Sequence, residues 1–374
     1  MKYKPDWPEA AERWSLLWEG KHKGRPAMVV TAPRAEGATR LPVPACSEPE
    51  RYWLDSAYVI PRALNSLSGT AWLGEAVPSF LFMGGWVTMA HQCAPIFPDD
   101  LGTIWFEPMA FDLDRPPEFV LDSDNPWLCK YERLLDAILN IAGRDDFMVG
   151  GHCALPGNDM LPLMMGTENF LVALAESPEW IEAAIGQLAS NWAAIKKRIR
   201  ERVSASHDFP YGVAGWAPFW GPQPFAFWQS DVSCMVSPAM YEQFILPDLD
   251  VAGNAFGKVW YHLDGAGAVK HLPAILSRDF VRVVQYVTGA GSEPNGPAYL
   301  DLYRAIQAAG RIVHVGLPAE NVEPLVRELD PGLLCLHVYC KDEQEARELL
   351  DAAPRWTAAR AATAHSSRPN ANKD

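Results

Sequence analysis

His262 and Asp264 close the segment Lys258-Val259-Trp260-Tyr261-His262-Leu263-Asp264-Gly265-Ala266-Gly267-Ala268, an apolar run that ends in a turn. Side chains alternate along a strand, so residues two apart share a face. In α/β proteins ligands gather at the carboxyl ends of strands. The pair is therefore a candidate ligand-facing site. The competing reading is a packed histidine and an aspartate capping the helix expected from about Val269 to Leu276. Other polar groups stand at similar places. Gln285 lies in the run from Phe280 to Val287 and is placed to orient a substrate. Asp159, in Gly157-Asn158-Asp159-Met160, either lines a cleft or stabilises a turn. Asp231 precedes a helix opened by Ser237-Pro238, as a substrate contact or as a loop hydrogen-bonding residue. His152, Cys153 and Cys234 are further polar groups near strand ends, although a buried thiol is more often a small hydrophobe. Trp216, Trp220, Phe225, Phe227 and Trp228 form an aromatic cluster. Trp216 and Trp228 are candidates to wall a substrate pocket or to stack on a flat ring or methylammonium group, against plain core packing.

These groups need a frame that brings strand ends together. Short apolar runs at Ala27–Ala32, Asp146–Gly150, Tyr211–Trp216, Lys258–His262, Phe280–Val287, Arg311–Val315 and Leu333–Val338 predict buried strands. Thr103–Phe106 predicts another. Helices are expected at Glu9–Glu19, Pro49–Asn65, Pro126–Ala142, Thr167–Ala175, Pro178–Val203, Pro238–Ala252, Leu300–Ala309, Val322–Leu329 and Asp342–Ala352. Strand and helix alternate through the second half with short loops, which implies parallel strands and right-handed crossovers. A (β/α)8 TIM-type barrel with an N-terminal elaboration fits this order and would place the loops after the strands at one mouth. Residues 1–124 read as the elaboration and first barrel elements, 125–357 as the main part of the same barrel, and 358–374 as a disordered tail.

The chain has 374 residues and a net charge of −14, which argues against a nucleic-acid or anionic-membrane surface. No stretch approaches the roughly 20 apolar residues of a membrane span. Seven Cys without framework spacing, and a charged start without an apolar signal core, point to a reducing cytoplasm. The Gly289-Ala290-Gly291 turn lacks the spacing of a dinucleotide site.

Several segments, in order, resemble the uroporphyrinogen decarboxylase superfamily, and more closely its corrinoid-related methyltransferase branch. They are Gly166-Thr167-Glu168-Asn169, Ser177-Pro178-Glu179-Trp180, Gln229-Ser230-Asp231, Met235 through Phe244 with Leu246-Pro247, Tyr261 through Gly265, Gly289-Ala290-Gly291 and Leu302 through Gly310. The resemblance spans roughly residues 125–353. In that branch the strand corresponding to 258–262 ends His-x-Cys-Gly, and a second Cys follows a later strand. That set binds zinc and activates a thiol acceptor for methyl transfer.

The resemblance thus implies a metal set of His262, Asp264 in place of the Cys, and Cys340 as the later Cys. A carboxylate is an accepted zinc ligand but a harder one than thiolate, so another divalent ion also fits. Asp231, whose place in the motif is shared, and Asp264 are the candidate catalytic groups; Trp216, Trp228, Asp159 and Gln285, by their own positions, are candidates to surround a small-molecule substrate. The methyl donor would be a methylated compound or a methyl-corrinoid on a partner protein, because this chain has no Asp-x-His-x-x-Gly motif. The decarboxylase branch is the alternative, metal-free reading. Its Met-Arg-Gln-Ala-Gly-Arg signature is absent, and Gly24-Arg25-Pro26-Ala27-Met28 stands there instead. A non-catalytic ligand-binding barrel is the third.

Overall fold

The computed structural model describes residues 1–38, 40–81, 95–97, 104–141, 146–150, 155–206, 212–213 and 218–366. Thirteen strands occur among them. They are β1 (Ala27–Pro33), β2 (Thr70–Gly74), β3 (Ser79–Leu81), β4 (Pro95–Ile96), β5 (Trp105–Phe106), β6 (Met148–Gly150) and β7 (Gly212–Val213), followed by β8 (Phe219–Trp220), β9 (Ala226–Gln229), β10 (Val259–Asp264), β11 (Val281–Val287), β12 (Ile312–Gly316) and β13 (Leu334–Tyr339). Seven form one sheet in the order β2-β1-β13-β12-β11-β10-β9. Only β2 runs antiparallel to its neighbour. The first parallel strand therefore pairs with the last. β3 and β6 form a separate parallel pair, and β4–β5 and β7–β8 are antiparallel pairs. The architecture is mixed α/β around a mostly parallel sheet, and hydrogen bonding among the described residues does not join it into the expected ring of eight.

The register stacks residues in rows across one face of this sheet. Phe227, Trp260, Val283 and Ile312 stand level on β9 to β12, an apolar row. One pleat toward the carboxyl ends, Gln229, His262, Gln285 and His314 stand level, a polar row. On the other face Val259, Tyr261, Leu263, Val284 and Val313 pack into the core beneath the helices. A strand buried on both faces loses its alternation of polarity, and β10 is buried through Leu263.

The first helix, Trp7–Trp18, buries Trp7, Ala10, Trp14 and Leu17. Trp14 meets Phe219 edge to face at 4.6 Å, in the same cluster as Phe227, Trp260 and Ile312. Its attachment is also ionic. The buried Glu75 carboxylate accepts from Arg25 at 2.6 and 3.0 Å, from the Met28 backbone at 2.6 Å, and from Arg13. Burial alone would raise this carboxyl's pKa. Arg25 and Arg13 overcome that and hold it below the usual range.

Two expectations change. The helix from Pro238 is interrupted by a π-turn at Tyr241–Ile245 before it resumes as Leu246–Phe256. Pro247 has no N–H to give, which favours a local change of hydrogen-bond pattern there. The last helix, Glu343–Ser366, runs into the segment expected to be a disordered tail. Its alanine-rich end has high helix propensity; residues 367–374 lie outside the described set. No described helix is long and apolar enough to cross a membrane.

Candidate metal centre

Three side chains converge at the carboxyl ends of β9 and β10. His262 and Asp264 lie on one face of β10, as the two-residue spacing predicts. Asp231 opens the 3-10 turn Asp231–Met235 just after β9. Each of the three offers a ligand atom within 4.8 Å of the others. His262 Nε2 is 3.9 Å from Asp264 Oδ1. Ligands around a first-row divalent ion, with bonds of about 2.1 Å, stand roughly 3–4 Å apart. Small rotations of two carboxylates would close this set on one ion, and the donors fit a hard or borderline cation.

The imidazole is oriented from behind. Gln285, level with it on β11, places Oε1 2.5 Å from His262 Nδ1. The Gln285 amide nitrogen donates to the Tyr286 carbonyl at 3.2 Å, which settles which end of the amide faces the ring. Nδ1 therefore carries the proton, and Nε2 presents its lone pair on the side of Asp264. This is the outer support that metal-binding histidines require. Gln285, expected to orient substrate, faces the His262 imidazole.

Asp231 is held in the same way. Its backbone N–H donates to Asp159 Oδ1 at 2.7 Å. Gln229 Nε2 bridges Asp159 Oδ2 at 2.9 Å and Asp231 Oδ2 at 3.1 Å. Asp159 is buried in the Gly157–Met165 helix and acts as a buttress for Asp231. Burial pushes its pKa well above the ordinary value, and the charge of Asp231 adds to this. The Asp231 carboxyl is reached by solvent, yet it sits among protein atoms that raise its pKa. His262 lowers it in part and Asp264 raises it.

Cys340 does not join this set. On β13, Cys335, His337 and Tyr339 share one face, while Leu336 and Val338 share the other; Cys340 continues the latter into the helix-side core. Burial pushes its thiol up to about 11, which disfavours the thiolate a metal needs. Asp231, rather than Cys340, stands with His262 and Asp264. Trp228 is also corrected: it is fully buried on the helix side of β9 and packs on Tyr261 at 5.2 Å, so it does not line a substrate pocket. Its neighbour Gln229 points to the site. Cys234 is exposed, gives its thiol to the Asp231 carbonyl at 3.3 Å, and stands outside the three-ligand group. Trp216, His152 and Cys153 lie outside the described residues. Gln229 and His314 are not among the candidates the sequence offers. His314 carries a local signal, a polar residue inside the apolar run Arg311–Val315, whereas Gln229 is brought level with His262 only by the pairing of β9 with β10.

No protein-family model and no curated protein matches the chain. Among solved structures, a methyltransferase from Methanosarcina mazei is similar in fold, with a TM-score of 0.57 over 92% of this chain and 98% of that one. The two sequences are 12% identical, so the likeness speaks to the fold alone.

Proposed function

We propose that this chain is a metal-dependent methyltransferase built on an eight-stranded β/α barrel. The convergence of Asp231, His262 and Asp264 at the carboxyl ends of adjacent strands carries this reading. The fold neighbour named as a methyltransferase supports it at a coarse level. Zinc remains a candidate ion, and one imidazole with two carboxylates equally suits manganese or iron(II). When bound, such an ion lowers the pKa of a coordinated thiol and so supplies a nucleophile at neutral pH.

The chain's own residues prepare that chemistry. Gln285 fixes the His262 tautomer so that Nε2 can ligate. Asp159 and Gln229 hold Asp231 in place. Asp231 and Asp264 present acceptor oxygens that can receive the thiol proton. As the sulfur–methyl bond forms, the bond from methyl to its donor breaks. The donor is a methylated small molecule or a methyl-corrinoid carried by a partner protein, and the acceptor is a thiol.

The test is elemental analysis of protein purified without chelator and reloaded with zinc, manganese or iron(II), with wild type beside His262→Ala and Asp231→Asn. About one ion per chain in wild type alone is expected. Loaded protein should then convert methylcobalamin and a small thiol, followed by the cobalamin spectrum. Failure of every ion to load stoichiometrically would sink the proposal.

A further inference from the structure

His314 continues the polar row from His262 and Gln285 onto β12. It is 1% exposed. The indole N–H of Trp260 donates to its Nδ1 at 3.1 Å. An indole nitrogen only donates, so Nδ1 must be the bare acceptor and the imidazole proton must sit on Nε2. Nε2 has no hydrogen-bond partner among the described residues. His314 lines a cavity of about 240 Å³ together with Gln285, Thr288, Asn295 and His337.

Two of the four other polar side chains of this cavity, Gln285 and Asn295, are already engaged. Gln285 holds His262 and the Tyr286 carbonyl. The Asn295 amide donates to the Tyr286 and Gly316 carbonyls and accepts from Tyr303. His337 is kept neutral, with burial lowering its pKa to about 4. Among the described residues no lysine or arginine lines the cavity. A carboxylate or phosphate entering it would lose hydration without a compensating cation.

We propose that this cavity binds an uncharged small molecule whose carbonyl or ether oxygen accepts the Nε2–H of His314. Trp260 is the positioning residue, because its indole fixes the tautomer that makes His314 a donor. The volume is below the roughly 300–1,000 Å³ of drug-sized pockets, so the ligand is compact. A buried donor selects strongly for an acceptor, since a ligand lacking one leaves the donor unpaired. This deepens the function proposed above, and rests on it only in taking the occupant as the substrate of the neighbouring centre.

The test uses full-length, metal-loaded protein labelled with 15N-histidine. Long-range proton–nitrogen spectra should show His314 as the Nε2–H tautomer. N,N-dimethylacetamide, a compact neutral acceptor, should shift the His314 resonances, and sodium acetate at equal concentration should not. His314→Leu should weaken the amide about tenfold, the equivalent of one hydrogen bond, while His314→Gln retains it. Metal content should stay unchanged in both variants. An Nδ1–H tautomer in wild type overturns the inference even if the variants fail to fold. So does an equal response to acetate and amide, or no response to the amide. Metal loss from wild type with amide binding intact would instead strike the proposed function and leave this cavity standing.

Discussion

Gln285 Oε1 faces His262 Nδ1 at 2.5 Å, and the other end of the same amide is tied to the Tyr286 carbonyl. One glutamine thereby decides which imidazole nitrogen looks toward Asp264. Replacing it with leucine should cost about 10–100-fold in metal affinity, the usual effect of losing an outer-shell partner. Competition with a chromophoric chelator measures this. Unchanged affinity would mean that the tautomer is set elsewhere.

Metal retention should depend on pH through Asp231. Its pKa is raised by burial and by Asp264, against a lowering by His262. An ion must displace the Asp231 proton as well as any proton on His262 Nε2, so the Asp231 share of the affinity is complete above that raised pKa and is lost as pH drops through it. The loss should begin at higher pH than for an ordinary carboxylate of about 3.9. Gln229→Leu removes a donor to the charged form and should move the midpoint higher still. Dialysis at stepped pH followed by elemental analysis reads both midpoints.

Cys340→Ala should leave metal stoichiometry intact, because the thiol packs in the helix-side core. Its expected effect is a modest loss of stability from the small cavity left behind. A variant that folds but no longer holds the ion would restore Cys340 to the ligand set.

Asp248 offers a stability test remote from the metal. It is buried beside Asn158, whose backbone and side-chain nitrogens both donate to it at 2.8 Å. Burial raises its pKa to about 6 despite these bonds. Because the folded value lies above the unfolded one, its contribution is complete below the unfolded pKa and is lost as pH rises through about 6. Asp248→Asn keeps an acceptor for Asn158 and removes the charge. It should stabilise the protein by about 2 kcal/mol at pH 8 relative to its effect at pH 4, from a shift of about two units that is already partly expressed at pH 4. Urea denaturation at the two pH values checks the difference; equal effects would contradict it.

Much of this arrangement can be read in the sequence, for reasons that vary by strand. β10 to β13 are short apolar runs between helical segments, so their existence and direction follow directly. The His262–Asp264 spacing is a parity statement, and parity survives errors in strand ends. β9 defeats such reading: Ala-Phe-Trp-Gln has aromatic residues on both faces, so nothing local shows that Gln229 points to the site and Trp228 away from it. Cys340 fails for the opposite reason. Resemblance puts it after the right strand, but the alternation of β13 turns it to the helices. Asp231 joins β10's ligands only through lateral pairing of β9 with β10, a contact that no single segment encodes. The final helix outruns the expected order because alanine-rich sequence suits helix as readily as it resembles a loose tail.

Glu75 has a consequence for descent. It answers two arginines, one in the first helix and one before β1, and it is fully buried. Removing one partner from a buried ion cluster typically costs about 3–5 kcal/mol, whereas replacing the whole cluster with apolar residues is often tolerated. Single changes at Arg13, Arg25 or Glu75 are therefore barriers, and the joint change is not. Among homologues these three positions should be inherited as a block, kept together or lost together. Arg13, Arg25 and Glu75 are thus one hereditary unit, although 50 positions separate Arg25 from its carboxylate.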